Sequence, residues 1–284
     1  MIVTFLGTSA SHPYPDPLCE CENCQQARLL GGKSIRKRPS LLVNDDLLID
    51  PGPDLEAAAQ AYGISLDGVR TCLVTHAHGD HFETSHLLVR KDGTGLFGQG
   101  VLQLYASGLT LQIASETIRE SHPELDLLSE ETQNLLRLEI HTVEPYQAFI
   151  AGDYRVTVFP ANHAPEMGAL LYVVEADGRA IFYGTDTAAL FEETWRAFHR
   201  LGLQFDLVML DHTNRPEHGK GGHLNAGQVR EHVERMRREG ILKEEGRVFA
   251  THIAHRDNPA HPQLEELAKQ GGYEAAYDGL VVEV

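Results

Sequence analysis

The sequence is short of positive charge, cysteine and long apolar runs. Its 284 residues carry 24 Lys plus Arg against 41 Asp plus Glu, a formal net charge of −17. A surface this acidic repels phosphate backbones, so a long nucleic acid is not the expected partner unless a local basic patch overrides the charge. The one basic cluster, Lys33, Arg36, Lys37 and Arg38, is too small to carry a duplex. No apolar stretch approaches the roughly 20 residues that a bilayer requires. Met1 to Leu6 is apolar but too short for a signal peptide and lacks a basic leader, so a cytoplasmic location is expected and no membrane is. Pro/Gly/Ser-rich linkers and low-complexity tracts are missing too, and strand signals run to the last residue, which favours one domain over 1–284.

Cysteine is scarce but not scattered. Three of the four fall together as Cys19-Glu-Cys21-Glu-Asn-Cys24, a spacing that in a reducing compartment points to metal rather than to disulfides. Three thiolates need a fourth ligand to close a tetrahedral zinc site; the plainer alternative is three reduced thiols on a loop. Cys72 lies in an apolar run and reads as core.

The densest chemistry is at Thr75-His-Ala-His-Gly-Asp-His81. His76, His78, Asp80 and His81 offer the nitrogen and oxygen donors that zinc and similar ions accept. They follow a strand-like run, 71–75, and precede helical spacing over 82–90, with Gly79 expected to allow a sharp turn. The alternative, a surface loop that happens to be rich in histidine, would suit one histidine better than this set.

The His-x-His-x-Asp-His pattern resembles the metallo-β-lactamase superfamily of dinuclear hydrolases. The resemblance implies an α/β fold, a four-layer αββα sandwich, with further ligands arriving at later strand ends. Asp50 in Leu-Leu-Ile-Asp-Pro-Gly matches the early aspartate that orients ligands without binding metal. His163 in Phe-Pro-Ala-Asn-His, Asp186 in Tyr-Gly-Thr-Asp and His252 in Phe-Ala-Thr-His each close an apolar run in the expected order. By the family pattern, His76, His78 and His163 hold one divalent ion, Asp80, His81 and His252 the other, and Asp186 bridges. Zinc and manganese both suit such donors. Two ions roughly 3.5–4 Å apart can lower the pKa of a shared water towards 7 and supply hydroxide.

A narrower likeness joins Phe-Leu-Gly-Thr-Ser-Ala-Ser, the Cys-x-Cys-x-x-Cys run and Arg38-Pro-Ser-Leu-Leu-Val. These are similar to the phosphodiesterases of the phosphonate (carbon–phosphorus lyase) pathway, a layout shared in part by pyrroloquinoline quinone biosynthesis protein B. The likeness implies His255, in His252-Ile-Ala-His255, as the fourth ligand of a structural zinc with Cys19, Cys21 and Cys24, carried on a loop at about 8–39. It also implies His223 as a non-ligand general acid, able to protonate a departing alkoxide. A surface or capping role for His223 is the plain alternative, and His212 and His218 are weaker versions of the same idea. His12 could line the cleft entrance. His86, His122, His141, His199, His232 and His261 read as ordinary residues.

The expected function is a metal-dependent phosphodiesterase hydrolysing a small anionic cyclic phosphate, such as a phosphoribosyl 1,2-cyclic phosphate or a cyclic nucleotide. A tRNA 3′-processing ribonuclease shares the motif but calls for a basic arm that is not evident. A pyrroloquinoline quinone biosynthesis factor is the remaining alternative. Residues 83–150 supply no expected ligand and read as a solvated helical insertion, acidic at Glu116, Glu120, Glu124, Glu130 and Glu131. A homodimer is implied by family resemblance alone.

Overall fold

The computed structural model describes residues 1–92, 100–214 and 222–284. Its first half builds one sheet. Strands β1 (Ile2–Gly7), β2 (Ser40–Val43) and β3 (Leu47–Ile49) form an antiparallel meander, turning at Asn44 in the left-handed region. Strands β4 (Thr71–Leu73), β5 (Leu102–Ala106) and β6 (Leu138–Thr142) then add in parallel. The last strand of the chain, β14 (Val281–Glu283), closes the other side, giving the order β14-β1-β2-β3-β4-β5-β6.

The second half repeats the plan. Antiparallel β7 (Ala148–Ala151), β8 (Tyr154–Pro160), β9 (Leu170–Ala176) and β10 (Arg179–Gly184) pass into parallel β11 (Phe205–Asp211), β12 (Leu242–Thr251) and β13 (Glu274–Ala275), in the order β13-β12-β11-β10-β9-β8-β7.

Three apolar layers hold this together. Phe5, Leu41, Tyr172, Ile181, Met209 and Phe249 interleave between the sheets. Outside the first sheet pack α2 (Leu55–Tyr62), α3 (Ser85–Leu88), α4 (Gly108–Ser121) and α5 (Glu130–Leu136), through Leu55, Leu87, Leu111, Ile118 and Leu136. Outside the second pack α6 (Glu192–Leu201), α7 (Ala226–Arg238) and α8 (His261–Gln270), through Trp195, Phe198, Val229, Met236 and Leu264. The αββα sandwich is therefore the observed architecture. Apolar positions recur at helical spacing in α7, which starts at the capping box Asn225–Gln228, so one face is buried while Arg and Glu take the other.

Some expectations need correction. Residues 83–150 are not simply a helical insertion: β5 and β6 lie inside that span and extend the first sheet. The helix expected over 82–90 shrinks to α3 and a following 3-10 turn. The loop at 8–39 contains a helix, α1 (Glu22–Leu30), that burial of Cys24 and Ala27 secures.

At one end the sheets are joined by hydrogen bonds as well as by packing. The Leu170 amide donates to the Thr75 carbonyl (2.9 Å) and the Tyr172 hydroxyl to the Val74 carbonyl (2.7 Å). The Ile253 amide donates to the Thr8 carbonyl (2.9 Å), and the Ala10 amide to the Ile253 carbonyl (3.2 Å). That end is where the carboxyl termini of β3, β4, β10, β11 and β12 converge.

Candidate metal centre

Each strand that ends here delivers a donor. Asp50 follows β3, the 76–81 motif follows β4, Asp186 follows β10, Asp211 ends β11 and His252 follows β12. His163 arrives on the loop after β8. Parallel strands place the carboxyl ends of their neighbours side by side, which is why residues nearly 180 positions apart in sequence meet. Gly79 lies inside the turn expected there, at its second position, but without the left-handed backbone that only glycine favours. The amides of His81 and Phe82 close that turn on the His78 carbonyl.

Three donor groups share Asp186: the two expected, and a third of Asp186, Asp211, His223 and His252. In His76, His78, His163 and Asp186, and again in Asp80, His81, Asp186 and His252, the donor atoms lie within 4.8 Å of one another. Asp186 serves both of these: Oδ2 lies 3.9 Å from His76 Nε2 and from His163 Nε2 in the first group and 3.1 Å from His81 Nε2 in the second, where Oδ1 is 3.1 Å from His252 Nε2. The residues predicted as ligands are thus brought together as two sets sharing one carboxylate.

The outer nitrogens of the rings are taken. His81 Nδ1 meets the Asp50 carboxylate (2.8 Å), His252 Nδ1 the Thr213 hydroxyl (2.7 Å) and His163 Nδ1 the Gly222 carbonyl (2.9 Å). His76 Nδ1 lies 3.0 Å from the Thr75 hydroxyl, which also donates to Asp50. With protons committed to carboxylate and carbonyl acceptors outside, the inner nitrogens of His81 and His163 present lone pairs. Those lone pairs face other donors, His81 Nε2 at 3.4 Å from His252 Nε2 and His163 Nε2 at 3.2 Å from His78 Nδ1. Lone pairs so opposed repel unless a cation or a proton sits between them.

Charge points the same way. Asp50, Asp186 and Asp211 are buried to 0–2 % exposure, and Asp80 is nearly so. Among the described residues, no Lys or Arg forms an ion pair with any of the four. Buried carboxylates without a cation are costly, and two divalent ions would offset four negative charges. Without them the histidines respond: burial lowers His81, but Asp186, Asp80 and Asp50 override it and hold its pKa well above the ordinary value. Asp186 moves the other way. Burial raises it, yet the His252 and His81 rings carry it well below the usual carboxylate range. The donor set fits divalent metal.

Beside the shared carboxylate lies a pair that the sequence reading half missed. His223 Nδ1 is 2.7 Å from Asp211 Oδ2, and Asp211 also accepts from the Thr187 amide and from the Thr213 amide and hydroxyl. The other face of the His223 ring stacks on His252, centroids 5.3 Å apart. Burial works against protonation of His223, but Asp211 outweighs it and the pKa rises to about 9. Asp211 was visible in the sequence as an acid closing an apolar run, the same signal that marked Asp186. His212 faces away: it is buried, and its Nε2 meets the Tyr273 hydroxyl at 2.9 Å. His218 lies outside the described residues. His12 stands against His255 (6.1 Å between centroids), not at the catalytic centre.

A separate group gathers Cys19, Cys21, Cys24 and His255, donor atoms again within 4.8 Å of one another. His255 Nδ1 is 3.3 Å from Cys24 Sγ and 3.6 Å from Cys21 Sγ. Burial pushes the Cys24 thiol up to about 12. Burial also acts on Cys21, but hydrogen bonds from the Cys24 and Asn23 amides at the start of α1 and from the Cys19 and Cys24 thiols together outweigh it, and the net shift is down.

The basic cluster noted in the sequence does not form a patch. Arg36 is 1 % exposed and bound to Thr8, Ala276 and His261, and Arg38 is paired with Asp54. Among the described residues, no helix is long and apolar enough to cross a membrane.

Comparison with known proteins agrees with this geometry. In structure the chain is similar to a diphosphatase of the PhnP family (TM-score 0.73, 22% identity, covering 100% of this chain and 96% of that one). It is also similar to zinc-bound PqqB from Methylobacterium extorquens (TM-score 0.74, 19% identity, 100% of both chains). The short form of human tRNase Z gives a TM-score of 0.65 at 17% identity, covering 100% of this chain and 99% of that one. At such identities the likeness is one of fold. In sequence, ribonuclease Z of Mycobacterium tuberculosis is 23% identical over 199 residues, 65% of this chain. The chain covers only 61% of that relative's length, and 62% of the Mycobacterium bovis ribonuclease Z. Residues 46–253 match the model of the beta-lactamase superfamily domain, so the chain belongs to the metallo-β-lactamase superfamily.

Proposed function

We propose that the protein is a metal-dependent phosphodiesterase that hydrolyses a small anionic cyclic phosphate. The observation that carries this reading is the placement of the Asp211–His223 pair beside two donor groups joined at Asp186. His76, His78 and His163 would hold one divalent ion, zinc or manganese, and Asp80, His81 and His252 the other, with Asp186 shared. Bound there, such ions supply Lewis acidity and lower the pKa of water, the two things that phosphodiester hydrolysis needs.

The chain's own residues do the rest. Asp50, Thr75, Thr213 and the Gly222 carbonyl fix the ligand rings. Asp211 holds His223 by Nδ1, so that Nε2 is the atom able to deliver a proton to the departing sugar alkoxide. A ring-opening hydrolysis of a cyclic phosphate leaves an alkoxide with a pKa far above neutrality, and such a leaving group needs that proton. A separate zinc held by Cys19, Cys21, Cys24 and His255 would tie the 8–39 loop to the segment after β12.

A tRNA 3′-processing ribonuclease is the second reading, favoured by the curated relatives. Burial of Arg36 and pairing of Arg38 weigh against it, since they remove the one basic cluster that could grip a phosphate backbone. The test is a panel on purified, metal-analysed protein: bis-aryl phosphodiesters, 2′,3′- and 3′,5′-cyclic nucleotides, ribosyl 1,2-cyclic phosphates, tRNA precursors and β-lactams. The highest kcat/KM should fall on a cyclic phosphate. Preferential cleavage of a tRNA precursor would overturn the reading.

A further inference from the structure

The segment that carries His223 also touches a metal-ligand histidine, and it does so through the preceding glycine. The Gly222 carbonyl accepts from His163 Nδ1 at 2.9 Å. The connection from β11 to α7 supplies two outer partners, the Thr213 hydroxyl for His252 and the Gly222 carbonyl for His163, and only the second adjoins His223 in sequence; His81 and His76 are steadied by Asp50 and Thr75. The approach is close enough that no side chain fits. A Cβ at Gly222 would lie 2.5 Å from His163 Nδ1, 3.3 Å from Cε1 and 3.5 Å from Cγ, and φ is +25°. The His163 and His223 rings are themselves adjacent, centroids 4.7 Å apart.

We propose that Gly222 is a positioning residue that locks the His163 ring and couples occupancy of the His76–His78–His163 position to the placement of His223. The Nδ1 proton of His163 bonds to a backbone carbonyl, which leaves Nε2 unprotonated and aimed at His78 and Asp186. The same peptide carbonyl fixes the backbone from which His223 projects. An ion that draws His163 into place therefore also draws the acid towards Asp211, and displacing the loop releases both. This inference rests on the two-ion reading above and says more than that reading does: it makes one ion position, and not the other, dependent on residue 222.

The experiment compares Gly222→Ala with Gly178→Ala and His223→Ala. Gly178 also has a positive φ (+73°), but nothing lies within 4 Å of the Cβ it would gain, so it controls for backbone strain alone. Metal stoichiometry is measured by atomic emission after dialysis against graded chelator. Gly222→Ala should lose one equivalent of active-site metal at a free-ion concentration 10- to 100-fold higher than wild type does, as expected for loss of an outer partner. The second equivalent should be retained. Gly178→Ala should release metal as wild type does, and His223→Ala, because the coupling is reciprocal, should ease release of that same one equivalent and by less than Gly222→Ala does. Wild-type metal release by Gly222→Ala would overturn the proposal, and so would equal weakening of both equivalents. If Gly222→Ala fails to fold, wild type decides: the zinc-loaded protein should show a slowly exchanging, hydrogen-bonded His163 Nδ1–H in 1H–15N spectra, and its absence would sink the idea. Wild-type protein that binds no divalent ion would instead refute the underlying function.

Discussion

The two donor clusters of this molecule are built on different foundations. The catalytic cluster stands on strand ends: its ligands follow β4, β8, β10 and β12, and four of its rings have an outer partner. The cysteine cluster stands on a loop and the first turn of α1, with Leu18 exposed beside Cys19. Its support comes from the same segment: Arg28 donates to the Cys19 and Asp16 carbonyls (2.6 and 2.8 Å), Asn23 donates to the His255 carbonyl (2.9 Å), and Asp16 lies 3.6 Å from His255 Nε2. Donors fixed by a sheet keep their positions whether or not an ion is present. Donors on a loop depend on the ion to hold them, as in small zinc domains. One cluster is preorganised for chemistry, and the other gains order from its metal.

Metal removal tests this contrast most severely. Exhaustive chelation should abolish activity while leaving the far-UV circular dichroism of the sandwich nearly unchanged, and limited proteolysis should then cut within 8–39 before anywhere in the sheets. Asp186→Asn comes next: removing a charged shared oxygen should lower kcat/KM by about 10³-fold or more, on the scale of a lost electrostatic stabiliser. Retention of two tightly bound ions by that variant would break the argument for a shared carboxylate. His223→Ala should cost about 10²–10⁴-fold on substrates with alkoxide leaving groups and far less on an activated aryl diester, the range for a lost general acid. Equal losses on both would count against the assignment.

Cys24→Ser should leave catalytic metal and kcat close to wild type but lower Tm and release one zinc, as measured by calorimetry and metal analysis. The smallest effect concerns the base of the loop. Asp278 accepts from the Thr8 hydroxyl (2.7 Å) and the Lys37 amide (2.6 Å), clamping both ends of 8–39. Burial, against those hydrogen bonds, pushes its pKa from 3.8 up to about 6. The folded state thus binds the proton more tightly than the unfolded chain does. Its contribution to stability is complete below pH 4 and is lost as pH rises through 6, at most about 3 kcal/mol. Denaturant titrations between pH 4 and 7 should show this fall superimposed on other groups, and Asp278→Asn should remove it.

Much of the catalytic cluster was legible because its ligands are rare letters at the ends of apolar runs. Asp50, His163, Asp186 and His252 each close such a run, and the sheets bring run ends together. The supporting residues were less legible. Thr75, Thr213 and Gly222 act through a hydroxyl or a carbonyl that almost any loop contains, so only proximity reveals them. α1 was missed because Glu22-Asn-Cys-Gln-Gln has little apolar periodicity, and its packing depends on Cys24 and Ala27 reaching the second sheet's outer core. The span 83–150 looked like an appendage because its acidic helices outweigh β5 and β6 in composition, although those short buried strands make it part of the sheet.

The hydrogen bonds from Tyr172 to Val74 and from Leu170 to Thr75 have a dynamic consequence. The opposite rim has a tie of its own, the Tyr154 hydroxyl accepting from Asn44 (2.7 Å) and donating to Asp46, but it is made by side chains where the Leu170–Thr75 bond is made by backbone. Thermal breathing should concentrate where Arg179, Lys243 and the terminal Val284 surround a cavity of about 470 Å³. Amide exchange should therefore be fastest among the strand starts and slowest along 73–76 and 170–173, a gradient that shields the reactive rim from the protein's own fluctuations.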